Sequence, residues 1–415
     1  MAWLILATKG KVAREVYVKN LTYCLRPYHV VCYNAGVTNV PVYLDCNATT
    51  PIEPDVLDLV IHYMRDEYGN AGSRTHEFGA RAKQAVQKAR DQVAALVDAS
   101  RDEVIFTSGA TESNNLAILG LAPHGERSGR KHIVTTAIEH KAVLEPVELL
   151  RQRGFEVTIV PPTSGGRVDP EAVRDALRPD TLLVSVMHVN NETGVIQPLD
   201  GVADVLRGHE AYLHVDAAQG FGKELTMLRN KRIELISVSG HKIYAPKGVG
   251  ALIIRRRDMI KVPLAALMVG GGQERGLRPG TLPVALIAGL GLAAELAWAR
   301  RTQRASRVAE LLSAARQAFV SLGGEFVGDQ NHTISTTASV AVPGVDSEAA
   351  LLALQPEIAA SNGAACTSQN YTASHVLTAM GLPLAVIRGA IRFSWSHLSE
   401  SPDWTAVVRR IREVS

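Results

Sequence analysis

The chain has 415 residues, of which 46% are hydrophobic, and its 44 Lys and Arg against 41 Asp and Glu leave a formal net charge of +3. Length and apolar content exclude a disordered polymer and allow one large domain plus a smaller one, and the near balance of charge is too mild to imply nucleic acid or an anionic membrane as the main partner. Four cysteines with no CxxC pair build neither a disulfide framework nor a zinc site, so a reducing cytoplasm is expected, with no metal.

The first 40 residues carry Lys9, Lys11, Arg14, Lys19 and Arg26 against one acid, Glu15, without a sustained period. Met1–Val40 therefore reads as an extension outside the fold. "AWLILA" near the start is shorter than a signal-peptide core and has no basic residue before it. From Val42, "VYLDCNATTPIEPDVLDLVIHYM" predicts a short strand, a polar turn and an amphipathic helix beginning at Pro54 and Asp55. Between about Glu77 and Arg255 the runs "EVIFTS", "HIVTTA", "FEVTIVP", "TLLVSVMH", "AYLHVDA" and "ELISVSG" alternate with helical segments. Such runs, without polar alternation, predict a parallel sheet covered on both faces, a doubly wound α/β fold. The triplet Arg255, Arg256 and Arg257 reads as a solvated face, as do Arg409, Arg410 and Arg412. An Ala/Leu/Arg-rich stretch, roughly Pro283 to Leu322, predicts one long helix leading to a second region with strands at "STTASVAVPG" and "AIRFSW". Its apolar part, Ile287 to Ala299, is too short and too interrupted to span a membrane. A last helix starts near Ser401, with Pro402 and Asp403 in its cap.

Ligands of open α/β sheets collect beyond the carboxyl ends of the strands, and here those ends are polar. "VIFTS" leads through Gly109, Ala110 and Thr111 into a helix, whose free backbone N–H groups suit a phosphate. "HIVTTA" is followed by Glu139 and His140, "LLVSVMHV" by "NNETG" with Asn191, and "AYLHV" by Asp216 and Gln219. Each alone is equally an ordinary turn, a cap or a structural histidine. "SVSGHKIYAPKGVGAL" is the stronger signal, because a strand delivers Ser239, Gly240, His241 and Lys242 into a small-residue turn. A lysine at a buried strand end is costly unless its amine is paired or used covalently. A desolvated amine is also a good Schiff-base nucleophile, and Asp216 on another strand is then available to hold a pyridinium nitrogen, as pyridoxal phosphate chemistry requires. One cofactor accounts for all of these strand ends together.

The motifs "YLDCNATTP", "FTSGATESNNLAI", "EHKAVL", "MHVNNETGVIQP", "HVDAAQ", "SGHKIYAPKGVGAL", "GGGQERGLRPGTLP", "GAACTS" and "IRFS" occur in this order from about Val42 to the C-terminus. They resemble those of the cysteine desulfurases, the class V branch of the aspartate-aminotransferase fold. The resemblance implies a fold type I transferase dependent on pyridoxal 5'-phosphate, with a large doubly wound, mainly parallel sheet domain over 53–298 and a smaller α+β domain made of 41–52 and 299–415. It makes Lys242 the Schiff-base lysine and Asp216 the partner of the pyridine nitrogen, with Gln219 and Asn191 on the phenolic side. His140 stacks on the ring and shuttles protons. Ala110, Thr111, Ser239 and His241 hold the phosphate, joined by Thr281 from the second subunit of a homodimer. Arg392 clamps the substrate carboxylate, a task suited to a planar bidentate cation, and Asn47 sits where the N-terminal segment closes over the substrate.

The implied reaction converts L-cysteine to L-alanine. The Lys242 amine takes the substrate's Cα proton, and a thiolate attacks the loosened sulfur, leaving a persulfide for an acceptor protein. The family motif assigns that attack to Cys366 in "SNGAACTSQN". Asn362 and Ala364 stand where serines are frequent in the family, and "SQNYTASHV" lacks its usual acidic and proline residues, which leaves the acceptor open; the retained "GAACTS" core and its spacing to "HVLTAMG" imply the long-loop group. DNA phosphorothioation, to whose desulfurase the loop is most similar, stands beside iron–sulfur cluster assembly and tRNA thiolation; in the first, DNA is an eventual product that need not touch this chain. A selenocysteine lyase, a simple aminotransferase and a catalytically silent scaffold are the remaining readings. Cys366 argues against the aminotransferase, and intact Lys242, Asp216 and His140 argue against the scaffold. Cys24 and Cys32 read as incidental, and Cys46 as a packed structural thiol.

Overall fold

All six apolar runs between Glu77 and Arg255 are strands in the computed structural model, which describes residues 40–362 and 373–415 and the backbone of 16–18 and 21–23. Cys24, Cys32 and Cys366 lie outside the described residues. The strands are β1 (Val16–Val18), β2 (Leu21–Tyr23), β3 (Val42–Tyr43), β4 (Val104–Thr107), β5 (His132–Thr136), β6 (Glu156–Val160), β7 (Thr181–Ser185), β8 (Tyr212–Asp216), β9 (Leu235–Ser239), β10 (Gly250–Ile254), β11 (Glu325–Phe326), β12 (Thr337–Ala341), β13 (Ile358–Ala359) and β14 (Ala390–Ser394). Within the segment read as an extension, β1 and β2 form an antiparallel pair.

Strands β4 to β10 make a seven-stranded sheet in the order β4-β10-β9-β8-β7-β5-β6. From β5 to β9 every pairing is parallel. The exception is β10, antiparallel to both β4 and β9. Only Gly240 to Val249 separate β9 from β10, too few residues for the crossover that a parallel return needs; the chain turns back instead, with Tyr244 at φ 70° and Gly248 at φ 85°.

The helices that cover this sheet are α1 (Pro54–Arg65), α2 (Glu77–Ala95), α3 (Ala110–Ser128), α4 (Lys141–Gln152), α5 (Pro170–Asp175), α6 (Leu199–Val205) and α7 (Val284–Ala299), followed by α8 (Arg301–Val320). Side chains alternate across the strands. Val134, Val184, Val215 and Ile236 pack in one apolar cluster with α1, α2 and α7, whereas Ile133, Leu183 and Leu235 pack in another with α3 and α4. Burial on both faces is why the runs of β5, β7, β8 and β9 show no polar alternation; β6, at the edge of the sheet, is partly exposed. A third cluster, with Leu44, Phe319, Val340, Phe393 and Trp395, lies by the antiparallel sheet β11-β12-β14, and β3 runs parallel to β13.

Three expectations are corrected. The stretch from Pro283 to Leu322 is two helices, because Arg300 leaves helical geometry (φ −102°, ψ 11°) and its guanidinium reaches Glu53 at 2.7 Å and Asp55 at 2.6 Å. The last helix, Trp404–Arg412, is capped by Asp403, whose carboxylate accepts from the amides of Thr405 and Ala406; Ser401 precedes it. Arg255 is not on a solvated face: it is 3% exposed, and its guanidinium donates to the carbonyls of Val97, Leu228, Asn230 and Ile233. Its fixed fork of donors satisfies carbonyls that no water reaches, which a run of three arginines does not reveal. Among the described residues no helix is long and apolar enough to cross a membrane.

Candidate active site

Parallel pairing from β5 to β9 brings the polar ends of those strands to one edge of the sheet, and a cavity of about 500 Å³ opens there. Ala110 and Thr111, after β4, reach it from the first turn of α3; His140 reaches it after β5 and Asn191 after β7. Asp216 ends β8, Gln219 follows it, and Ser239 ends β9 ahead of the tight turn carrying His241 and Lys242. Asn47 and Arg392 line the cavity from the other side. Thr281 does not: it lies in a separate cavity with Asn70, Lys83 and Gln273.

Local packing fixes these positions. Gly250 is obligatory, since a Cβ there would come within 2.4 Å of the Val238 carbonyl and 2.5 Å of Gly109 Cα; only a bare β10 lets the turn after β4 come down beside β9. The turn at Gly240–Lys242 is held by Thr50, whose amide and hydroxyl both donate to the His241 carbonyl. The Lys242 amine donates to the carbonyls of Asn47 and, at 2.8 Å, Ala48. Gln219 Nε2 donates to the same Asn47 carbonyl at 2.9 Å, and Lys223 Nζ approaches Gln219 Oε1 at 3.4 Å. Asn47 is itself held by its side-chain amide, which donates to Asn191 O and Thr337 Oγ1.

The charged groups are distinct in character. Asp216 is 5% exposed; its carboxylate accepts from Asn114 Nδ2 at 2.8 Å and from the Ala218 amide at 3.0 Å. The His140 ring opens on the cavity, and its Nδ1 accepts from the Ala142 amide at 3.0 Å, which places the neutral ring's proton on Nε2. The protein packed round that ring, and secondarily the charge of Lys242, hold it below the ordinary imidazole range, against the opposing pull of Asp216. Burial, with help from Lys242 and Lys247, pushes His241 down to about 4. Behind His140, Glu139 is wholly buried and burial pushes it up to about 8, although Oε1 accepts from Thr136 and the Met187 amide. Arg392 is 2% exposed, with Nη2 on Asp45 at 2.6 Å and Nη1 on the Asn191 carbonyl at 2.9 Å.

Sequence reasoning gave no role to Asn114, Met187, Val189 or Lys247, which line the cavity too. Asn114 carried a usable signal: it follows Thr111 by three residues and so shares its helix face, and a polar side chain on a face that turns inward needs a partner. Asp45, whose carboxylate meets Arg392, carries no local sequence signal of that contact. Cys366 lies outside the described residues, but its flanks are placed: Ser361 pairs with Arg392 through both backbone groups, and Ser374 donates to buried Glu192 at 2.5 Å. Cys46 is 2% exposed, its sulfur 3.9 Å from Ser399 Oγ, as a packed thiol should be. Among the described residues no group of three or more His, Cys, Asp and Glu side chains is placed to hold a metal ion.

Residues 42–403 match the aminotransferase class-V family, and the chain belongs to it. Within that family, similarity is high to cysteine desulfurase IscS of Anaeromyxobacter dehalogenans, 43% identical over 385 residues that span 91% of this chain and 94% of the relative. Among solved structures, DndA from Streptomyces lividans is 52% identical with a TM-score of 0.75 over 85% of this chain and 99% of that one. SspA in complex with cysteine is 35% identical with a TM-score of 0.74, covering 85% and 98%.

Relatives of this kind depend on pyridoxal 5'-phosphate, and the donor set suits that group. The first-turn amides of α3 have no intrahelical acceptor, and a Cβ at Gly109 would point toward Ser239 Oγ, 3.9 Å away, into space left beside them. A buried carboxylate, that of Asp216, and an amine, that of Lys242, both line the cavity, and these are the groups that a pyridinium and an aldehyde call for.

Proposed function

We propose that the chain is a pyridoxal 5'-phosphate-dependent cysteine desulfurase that converts L-cysteine to L-alanine and passes the sulfur through Cys366 to an acceptor protein. The observation that carries this reading is the convergence of an amine, a carboxylate and a guanidinium, those of Lys242, Asp216 and Arg392, on one cavity. When bound, the cofactor supplies an aldehyde that condenses with amines and an electron-poor ring that stabilises negative charge at the substrate's Cα. Asp216, held by Asn114, would pair its carboxylate with the ring nitrogen. Ala110, Thr111, Ser239 and His241 hold the phosphate, and Thr281 joins them from a second copy of the chain. Gln219 and Asn191 flank the phenolic side. His140 would lie against the ring, with Nε2–H available to the cavity. Lys242 takes the Cα proton, Arg392 takes the substrate carboxylate, and Asn47 covers the substrate. The Cys366 thiolate then attacks the substrate's sulfur, forming the sulfur–sulfur bond as the carbon–sulfur bond breaks.

One apolar cluster, with Leu44, Phe319, Val340, Phe393 and Trp395, is drawn wholly from 41–52 and 299–415 and supports a small domain there beside a large one over 53–298, although Val327, Ala341, Val376 and Ala390 pack with the large domain's cluster. A homodimer is supported by the solvent-facing Leu57, Ile61 and Met64 of α1, at helical spacing, with Tyr68 just beyond them. The balanced charge and the sparse cysteines favour the cytoplasm. For the acceptor, the likeness to DndA favours DNA phosphorothioation over iron–sulfur cluster assembly or tRNA thiolation. The test is simple: purified protein absorbs visible light, is bleached by borohydride and releases L-alanine from L-cysteine, and Lys242→Ala loses all three. Protein that neither takes up the cofactor nor releases alanine would sink the reading.

A further inference from the structure

We infer that Asp45 is a positioning residue for the substrate carboxylate: with the Asn191 carbonyl, it fixes Arg392 so that the guanidinium offers a two-pronged N–H fork to the cavity. This rests on the proposed function, in which Arg392 receives the carboxylate.

The placement begins in the backbone. The segment after β3 lies alongside β14, with Ser394 N donating to Leu44 O at 2.7 Å and Cys46 N donating to Ser394 O at 3.0 Å, so Asp45 and Ser394 form a parallel bridge. Asn47 N donates to Ser394 Oγ at 2.9 Å and the Tyr43 hydroxyl donates to Asp45 O at 2.9 Å, which pins the segment on both sides of the aspartate. Arg392 sits two residues before Ser394 on β14 and therefore on the same face of the strand, and the Asp45 carboxylate meets its Nη2 at 2.6 Å. The partners differ in access: the Arg392 side chain is 2% exposed and that of Asp45 21%.

Arg392 has five N–H donors in a rigid plane. One hydrogen on Nη2 goes to Asp45 and one on Nη1 to Asn191 O, and each terminal nitrogen keeps a second hydrogen. A donor left on each of two neighbouring nitrogens is what the two oxygens of a carboxylate require. Asp45 and Asn191 O grip two different nitrogens, so the plane can neither rotate nor swing without breaking a charge-assisted bond. The same contact makes Arg392 selective, because a resident negative charge leaves the pair neutral overall and unattractive to anions that do not fit the fork.

The experiment uses the cofactor-loaded enzyme and follows the cofactor's absorbance on titration with three ligands, alongside steady-state turnover. The ligands are L-cysteine, L-alanine, which carries the carboxylate without sulfur, and cysteamine, which is cysteine without its carboxylate. Asp45→Ala is expected to raise KM for cysteine and weaken L-alanine binding about tenfold, with kcat within a few-fold and cysteamine binding unchanged. Asp45→Asn keeps an oxygen acceptor and is expected to fall between, which separates the effect from misfolding. Arg392→Leu is the reference. If it weakens L-alanine binding and Asp45→Ala does not, the inference about Asp45 is overturned alone; if Arg392→Leu has no effect either, the reading of Arg392 fails first. Equal losses for cysteamine and L-alanine would also overturn it, since a purely structural aspartate gives no preference for carboxylates.

Discussion

Asn114 donates to the Asp216 carboxylate across 2.8 Å, joining the first turns of α3 to the tip of β8 where both side chains are buried. The bond makes the orientation of Asp216 depend on a helix whose N-terminus also faces the cavity. Asn114→Ala is expected to weaken retention of pyridoxal phosphate about tenfold, the worth of one charge-assisted bond. Asn114→Asp should do more harm, because two carboxylates at that distance cannot both ionise in a buried site. Cofactor dissociation followed by visible absorbance measures both.

The pH dependence of turnover should carry the mark of His140. Its pKa lies below the ordinary 6.5, so the neutral ring with its proton on Nε2 persists into weakly acidic solution. The acid limb set by this group therefore lies below pH 6.5, and turnover is flat above it until another group intervenes. His140→Gln is expected to remove that limb and to lower kcat about a hundredfold. An unchanged limb in this variant would assign it elsewhere.

Glu139 should make the protein less stable as pH rises. Its folded carboxyl titrates at about 8 against 4.5 when exposed, so between those values the folded chain binds more protons than the unfolded one. Stability is then fully present below pH 4.5 and is lost as pH climbs toward 8. Glu139→Gln keeps an oxygen for Thr136 and the Met187 amide and cannot ionise; its melting temperature should exceed the wild type's by a margin that grows from pH 5 to pH 8. Parallel curves for the two proteins would contradict this.

Cys46 should behave as packing. It is 2% exposed and burial raises its thiol pKa, both of which suppress the reactive thiolate. Brief alkylation of the folded protein is expected to spare Cys46, and Cys46→Ala should cost about 1 kcal/mol of stability with turnover retained. Loss of turnover in that variant would give the thiol a second role.

How much of this was legible in the sequence follows from physical range. Strands buried on both faces announce themselves as unbroken apolar runs, and the polar residues that end them, Asp216, His140 and Lys242 among them, are where the cavity lines up. Strand β10 was hidden inside "GVGAL" because its direction depends on a turn at Tyr244 and Gly248 that propensity does not show. Arg300 breaks an Ala-rich helix by reaching carboxylates at Glu53 and Asp55, distant in sequence and invisible to any local window. Arg255 and Asp45 were missed for the same reason. Each takes its meaning from partners that only the fold supplies.

Sulfur transfer itself is the central claim, and mass spectrometry of the cofactor-loaded protein after a short exposure to L-cysteine tests it most directly. One added sulfur atom on the peptide that contains Cys366, matched by release of L-alanine and absent from Cys366→Ala, is the expected result. Alanine released at an undiminished rate by Cys366→Ala, or the added sulfur found on Cys46, would contradict it.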